Sequence, residues 1–204
     1  PYVTRDLKIK RYFTERAHDP GTPNAVGPIA LAKAMDVFDA VGHEPIANYE
    51  NKLVLHTFLK MKKNQNIRLY INESMIGHVI PFDVENFHSR LLAKVLANEY
   101  GIGLRAGAFC TYEYIRKLKK ISDYDDKIIA EEVERGITRN IPQVARVSLS
   151  ICNTFAECDL LVNTLQEVID LGENYFRKRY VQDPVTGDWE LGEKKQKESL
   201  QFTA

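Results

Sequence analysis

The sequence predicts an α+β domain, with an antiparallel or mixed sheet of about four strands covered by helices. Three observations predict it. Two segments of helical period open the organised part of the chain. Four short runs of strand character follow, at 67–71, 78–82, 102–105 and 144–150. Helical segments interrupt and close those runs, and the strand–helix alternation is too short for a doubly wound parallel sheet.

The elements follow in order. Residues 1–21 hold many charges and no sustained period, and read as extended chain. A helix entry stands at Gly21-Thr22-Pro23-Asn24. Thr22 or Asn24 can cap, and Pro28 falls in the first turn, where a missing N–H costs little. Leu31, Met35 and Phe38 recur at helical spacing, and Gly42 suits the stop. A second helix from about Pro45 carries Ile46, Tyr49 and Leu53 on one face and Val54, Phe58 and Met61 on the next. The run 78–82 contains Pro81, which predicts an edge strand. Asp83 is expected to cap a helix bearing Val84, Phe87, Leu91 and Val95, ended by Gly101. Residues 111–136 are polar and predict two helical pieces with a turn at Ser122-Asp123. Val144 to Ser150 alternates as a half-buried strand does. Thr154 and Glu157 form a capping box ahead of a helix with Leu161, Leu165 and Val168, closed by Gly172. Segment 173–204 is charged and predicts a hairpin, with Tyr180-Val181 and Trp189-Glu190-Leu191 around Thr186-Gly187-Asp188.

Composition narrows the function. The chain has 204 residues, with lysine plus arginine equal to aspartate plus glutamate at 28 each. No basic excess supports a nucleic-acid footprint. No apolar run approaches the roughly 20 residues of a membrane helix. Three cysteines (Cys110, Cys152, Cys158) do not make a disulfide framework, which points to a reducing, cytoplasmic setting. The histidines are scattered and no metal site is expected. Cys158, one turn into the last helix, reads as a small core residue, and Cys152 as structural.

The stretch GIGLRAGAFC, Gly101 to Cys110, carries the chemistry. Arg105 lies near enough to Cys110 to favour a thiolate, and a helix begins shortly after it. Arg105 and Arg146 belong to two separate strands. If those strands are neighbours, two guanidinium forks converge and match a carboxylate; otherwise each is a surface ion pair.

Four segments in order resemble a known family. They are GTPNAVGPIAL (21–31), LRAGAFC (104–110), ARVSLSICNT (145–154) and the helix after it. Together they resemble the class V aminotransferase fold, and within it the cysteine desulfurase group, over residues from about 14 to 171. The resemblance implies the small C-terminal domain of a fold-type I enzyme dependent on pyridoxal 5′-phosphate. Residues 1–24 would then end a large-domain segment, 25–172 form the small domain with its long connecting helix, and 173–204 form an extension. It implies that Thr22 reaches the cofactor phosphate across a homodimer, and that Arg146 holds the substrate α-carboxylate with Arg105 beside it. Cys110 would be the nucleophile that takes sulfur as a persulfide and passes it to an acceptor. An amino acid is the implied substrate.

The sequence departs from this pattern in places. Ala108 and Phe109 stand where desulfurases commonly carry histidines, and segment 111–142 is long. No His-Lys pair exists to supply the Schiff-base lysine. The expectation is therefore the C-terminal part of a longer enzyme, inactive alone. The alternatives are a class V aminotransferase or lyase that does not use Cys110, and a non-catalytic dimerisation or binding module on the same fold.

Overall fold

A computed structural model describes residues 2–3, 9–10, 24–75 and 77–192. The chain divides between Ile46 and Ala47 into two compact units. The first holds a small antiparallel pair, β1 (Tyr2–Val3) and β2 (Ile9–Lys10), and helix α1 (Val26–Val41). Asn24 Oδ1 accepts the Gly27 N–H at 3.0 Å, so Asn24 closes the free start of α1. Gly42 stops it at φ +91°, a conformation glycine adopts without strain. α1 buries none of its residues. Thr22 lies outside the described residues.

Helix α2 (His43–Met61) crosses the boundary and enters the second unit. There β3 (Ile67–Leu69), β4 (Val79–Val84), β5 (Arg105–Gly107) and β6 (Val144–Ser148) form one sheet in the order β3-β4-β6-β5. Every pairing is antiparallel. Helices α3 (Ser89–Tyr100), α4 (Tyr112–Leu118), α5 (Asp123–Glu134), α6 (Phe155–Leu171) and α7 (Glu173–Arg177) complete the unit with a hairpin, β7 (Tyr180–Gln182) and β8 (Trp189–Leu191).

The core gathers one face of the sheet and the apolar stripes of α2, α3 and α6. Ile80, Phe82, Ala145, Leu53, Met61, Leu91, Leu92, Val95 and Leu165 are all fully buried. Burial of each large side chain contributes about 1.5–3 kcal/mol. Phe176, Tyr180 and Trp189 enter the same core, so the charged segment after Gly172 begins as part of it. The capping box is present: Thr154 Oγ1 accepts the Glu157 N–H at 3.2 Å, and Glu157 Oε2 accepts the Thr154 N–H at 2.7 Å. The Thr154 N–H and then its hydroxyl, both donating to the Glu157 carboxylate, hold that carboxyl below its ordinary range.

Three expectations need correction. β4 is an inner strand, although it contains Pro81. The Pro81 carbonyl accepts from the Tyr70 N–H at 3.0 Å, so the missing proline N–H would aim the same way, at a level where β3 has already ended. One bond, to the Tyr70 carbonyl just past the end of β3, is forgone, and the ladder to β6 loses none. Second, Asp83 caps nothing. It lies in β4, and α3 starts at Ser89 after a turn through Asn86 at φ +55°. Val84 and Phe87 imitate helical spacing because the strand end and the turn place both against the core. Third, the strand expected at 102–105 is β5 at 105–107; Ile102 and Leu104 instead pack against the core from the connection after α3.

Candidate active site

Antiparallel pairing of β5 with β6 places Arg105 directly opposite Arg146. Residues opposite one another share a face, so both guanidiniums rise from the face turned away from Ala145 and Val147. Arg105 is exposed and Arg146 half-buried. The convergence that the sequence left conditional on neighbouring strands is therefore met. Among the described residues no carboxylate pairs with either arginine. The Arg146 Nε–H is buried and has no hydrogen-bond partner.

Phe109 takes the place of a counter-charge. The Arg146 guanidinium carbon lies 4.2 Å from the centre of its ring, and that of Arg105 lies 5.5 Å away. Both fall within the range of cation–π attraction. Stacking uses the flat face of a guanidinium and leaves its in-plane N–H groups free to bind an anion.

A tight turn puts the ring there. Gly107, at φ +150°, ends β5 in a conformation that disfavours side chains. The Thr111 N–H then donates to the Ala108 carbonyl at 2.8 Å, and the two central residues, Phe109 and Cys110, sit at φ +52° and +60°. Positive φ at both central positions is the pattern of a type I′ turn, which prefers Asn-Gly. Each non-glycine residue there costs about 1–2 kcal/mol. Cys110 is exposed, one residue beyond the stacked ring, and α4 begins at Tyr112. Cys158 is buried as expected, whereas Cys152 is exposed in the turn after β6.

The other end of β6 is fixed from α2. Tyr49 Oη donates to the Asn153 carbonyl at 2.8 Å, and Glu50 Oε1 accepts the Ile151 N–H at 3.0 Å. Glu50 Oε2 also meets His78 Nδ1 at 3.2 Å. These contacts set the level at which β6 leaves the sheet. A polar group on the arginine face of β4 does similar work. Asp83 accepts from Tyr70 Oη at 2.5 Å, Ser89 Oγ at 3.0 Å and Lys119 Nζ at 2.5 Å. Lys119 follows α4, so Asp83 ties the connection between α4 and α5 to the sheet.

A cleft of about 570 Å³ lies elsewhere, walled by Arg68, Asp83, His88, Lys119, Arg139 and Gln143 among others. Arg105, Phe109, Cys110 and Arg146 take no part in it. Sequence reasoning named Arg105, Arg146 and Cys110, and the structure places the two arginines side by side. It treated Phe109 only as a departure and missed Glu50 and Asp83. The signal for Phe109 was an aromatic ring within reach of two arginines, and it becomes readable only once β5 and β6 are known to pair.

Comparison with known proteins adds the ancestry. The family model for aminotransferase class V matches residues 10–161. A cysteine desulfurase of Wigglesworthia glossinidia brevipalpis is 33% identical over 93 residues, which is 46% of this chain and 22% of that protein. A cysteine desulfurase of Escherichia coli is 29% identical over 150 residues, 74% of this chain and 31% of its own length. The chain thus spans about a third or less of these relatives. Two solved structures share the fold. A cysteine desulfurase from Escherichia coli superposes with a TM-score of 0.59 at 22% identity, over 74% of this chain and 32% of that one. The apo cysteine desulfurase of Thermococcus onnurineus does so at 0.60 and 21%, over 83% of this chain and 37% of that one. With the ordered segments, the α+β sheet and a family match over three quarters of its length, this chain belongs to the class V aminotransferase family.

Proposed function

We propose that this chain is the substrate-carboxylate and sulfur-accepting part of a cysteine desulfurase-type enzyme dependent on pyridoxal 5′-phosphate. The observation that carries the reading is the opposition of Arg105 and Arg146 beside a turn that presents an exposed Cys110. Two unpaired guanidiniums suit the α-carboxylate of an amino acid. The orphaned Nε–H of Arg146 fits such an anion. Thr22, the expected phosphate contact across a homodimer, lies outside the described residues, and the sequence offers no His-Lys pair. When bound, the cofactor supplies the electron sink that lets bonds near the amino-acid Cα be broken. The chain's own part is to orient the carboxylate and supply a thiolate. The Cys110 sulfur attacks the sulfur of bound cysteine. An S–S bond forms as the Cβ–S bond breaks, the electron pair leaves to the carbon side, and a proton completes alanine. Cysteine plus thiol becomes alanine plus persulfide, which a sulfur-acceptor protein would then relieve.

In the holoenzyme, Cys110→Ala should abolish sulfur release from L-cysteine and leave the visible absorbance of the bound cofactor unchanged. Undiminished sulfur release would overturn the reading. A second reading draws support from Ala108 and Phe109, where the stretch before the cysteine serves arginine stacking. It is a class V aminotransferase or lyase that does not use Cys110. Amino-group transfer to a keto acid, insensitive to Cys110→Ala, selects it. No helix among the described residues is long and apolar enough to cross a membrane. A cytoplasmic homodimer is the setting proposed.

A further inference from the structure

We infer that Phe109 is a positioning residue for the substrate carboxylate. It holds the Arg146 guanidinium, and to a lesser degree that of Arg105, by its ring, and so keeps their N–H edges open. The inference rests on the reading that the arginine pair binds a carboxylate.

Three observations carry it. Two like charges directly opposite on one sheet face repel, and among the described residues no anion separates them. Left alone, two long arginines would splay apart into water. A carboxylate neighbour would hold them, but it would also occupy the donors that a substrate needs. An aromatic face removes that conflict, because it attracts the cation from above and takes no N–H. The Arg146 guanidinium carbon stands 4.2 Å from the ring centre, and its buried Nε–H has no hydrogen-bond partner.

The backbone supports a dedicated role. Phe109 sits at φ +52°, where a bulky side chain is disfavoured and Asn or Gly would fold more easily. A ring kept at a strained position implies that its placement matters. The same turn carries Cys110 as its next residue, so one strained unit sets both the arginine stack and the exposure of the thiol.

The inference is tested in the full protein with its cofactor, by calorimetric titration with L-alanine and with L-alaninamide, which lacks the carboxylate. Neither carries sulfur, so Cys110 chemistry does not enter. Phe109→Leu should weaken L-alanine binding about tenfold and leave L-alaninamide binding unchanged. Phe109→Tyr, which keeps the ring, should stay within about twofold of the parent. In an Arg146→Ala background, Phe109→Leu should add no further loss for L-alanine. A Phe109→Leu protein that binds L-alanine as the parent does, while Arg146→Ala does not, overturns the role of Phe109 and leaves the carboxylate site standing. An Arg146→Ala protein with unchanged L-alanine affinity overturns the carboxylate site itself. Because the readout is the ratio of acid to amide affinity, a general loosening of the fold would lower both and leave the ratio unmoved, which would also count against Phe109.

Discussion

Arg105 and Arg146 face each other across the β5–β6 pair, two positive charges where a sheet ordinarily sets opposite ones. Their opposition disfavours folding and favours anion binding. Arg105 is the more exposed and the easier to remove. Arg105→Thr, which suits a strand, should raise stability by about 0.5 kcal/mol at low ionic strength. The gain should shrink toward zero near 1 M salt, where charges are screened within about 3 Å. Urea unfolding at the two ionic strengths measures this. A gain that does not depend on salt would mean that repulsion is not its source.

The turn at Ala108–Thr111 makes a similar exchange of stability for placement. Cys110 holds φ +60° with a side chain that resists it. Cys110→Gly keeps the turn and removes the strain, so it should stabilise the protein by about 1 kcal/mol, whereas Cys110→Ala should not. Thermal melts of the two variants make the comparison. Equal melting temperatures would show that the turn relaxes freely.

The sequence made much of this arrangement legible, for physical reasons. Thr154 and Glu157 announced their helix because a capping box is local chemistry, complete within four residues. Val144 to Ser150 read as a strand because alternation is local too, and Val144–Ser148 is one. Pro81 misled, since whether a missing N–H matters depends on where the neighbouring strand β3 stops, and that is a fact about residues far from Pro81. Asp83 misled because an acid before an apolar run resembles a cap; its partners Tyr70 and Lys119 come from 13 and 36 residues away. The same divide runs through the site. Arg105, Cys110 and Arg146 stood out by type and order, while Phe109 acquired meaning only from the register of β5 on β6.

His88 gives the fold a pH dependence. It precedes α3 half-buried, and its Nδ1 accepts the indole N–H of Trp189 at 3.2 Å. A neutral ring that accepts at Nδ1 carries its proton on Nε2, which faces the Gln143 amide at 3.4 Å. Turning that amide over would give the buried Gln143 Oε1, otherwise without a partner, this proton to accept. Burial pushes the His88 pKa below its ordinary value of about 6.5; Glu173 opposes the shift, and Arg90, Arg177 and Lys119 add to it. A histidine with a lowered pKa stabilises the fold fully above its unfolded value, and that contribution is lost as pH falls through the folded one. Stability should therefore decline as pH drops below about 6.5. His88→Gln should flatten the decline between about pH 6.5 and 5, above the range where most carboxylates titrate. Chemical denaturation at half-unit pH intervals tests it, and an unchanged slope in the variant would assign the decline to other groups.

Asp83 and Lys119 make an ion pair worth testing, because both are mostly covered, with side-chain exposures of 15% and 25%. Asp83 also takes the Tyr70 hydroxyl and Ser89. Burial and this hydrogen bond raise the Tyr70 pKa, so the phenol stays protonated and remains a donor. Asp83→Ala would strand three donors at once, one of them charged. Its cost should be about 3 kcal/mol, above that of a surface pair and near that of a broken buried one. Lys119→Met keeps the aliphatic stem, leaves Asp83 two partners, and should cost about 1 kcal/mol. The double variant should cost less than the sum, because removing the lysine also removes the stranded charge. Urea denaturation of the four proteins closes the cycle. Strict additivity would mean that water already satisfies Lys119 and that Asp83 acts through Tyr70 and Ser89 alone.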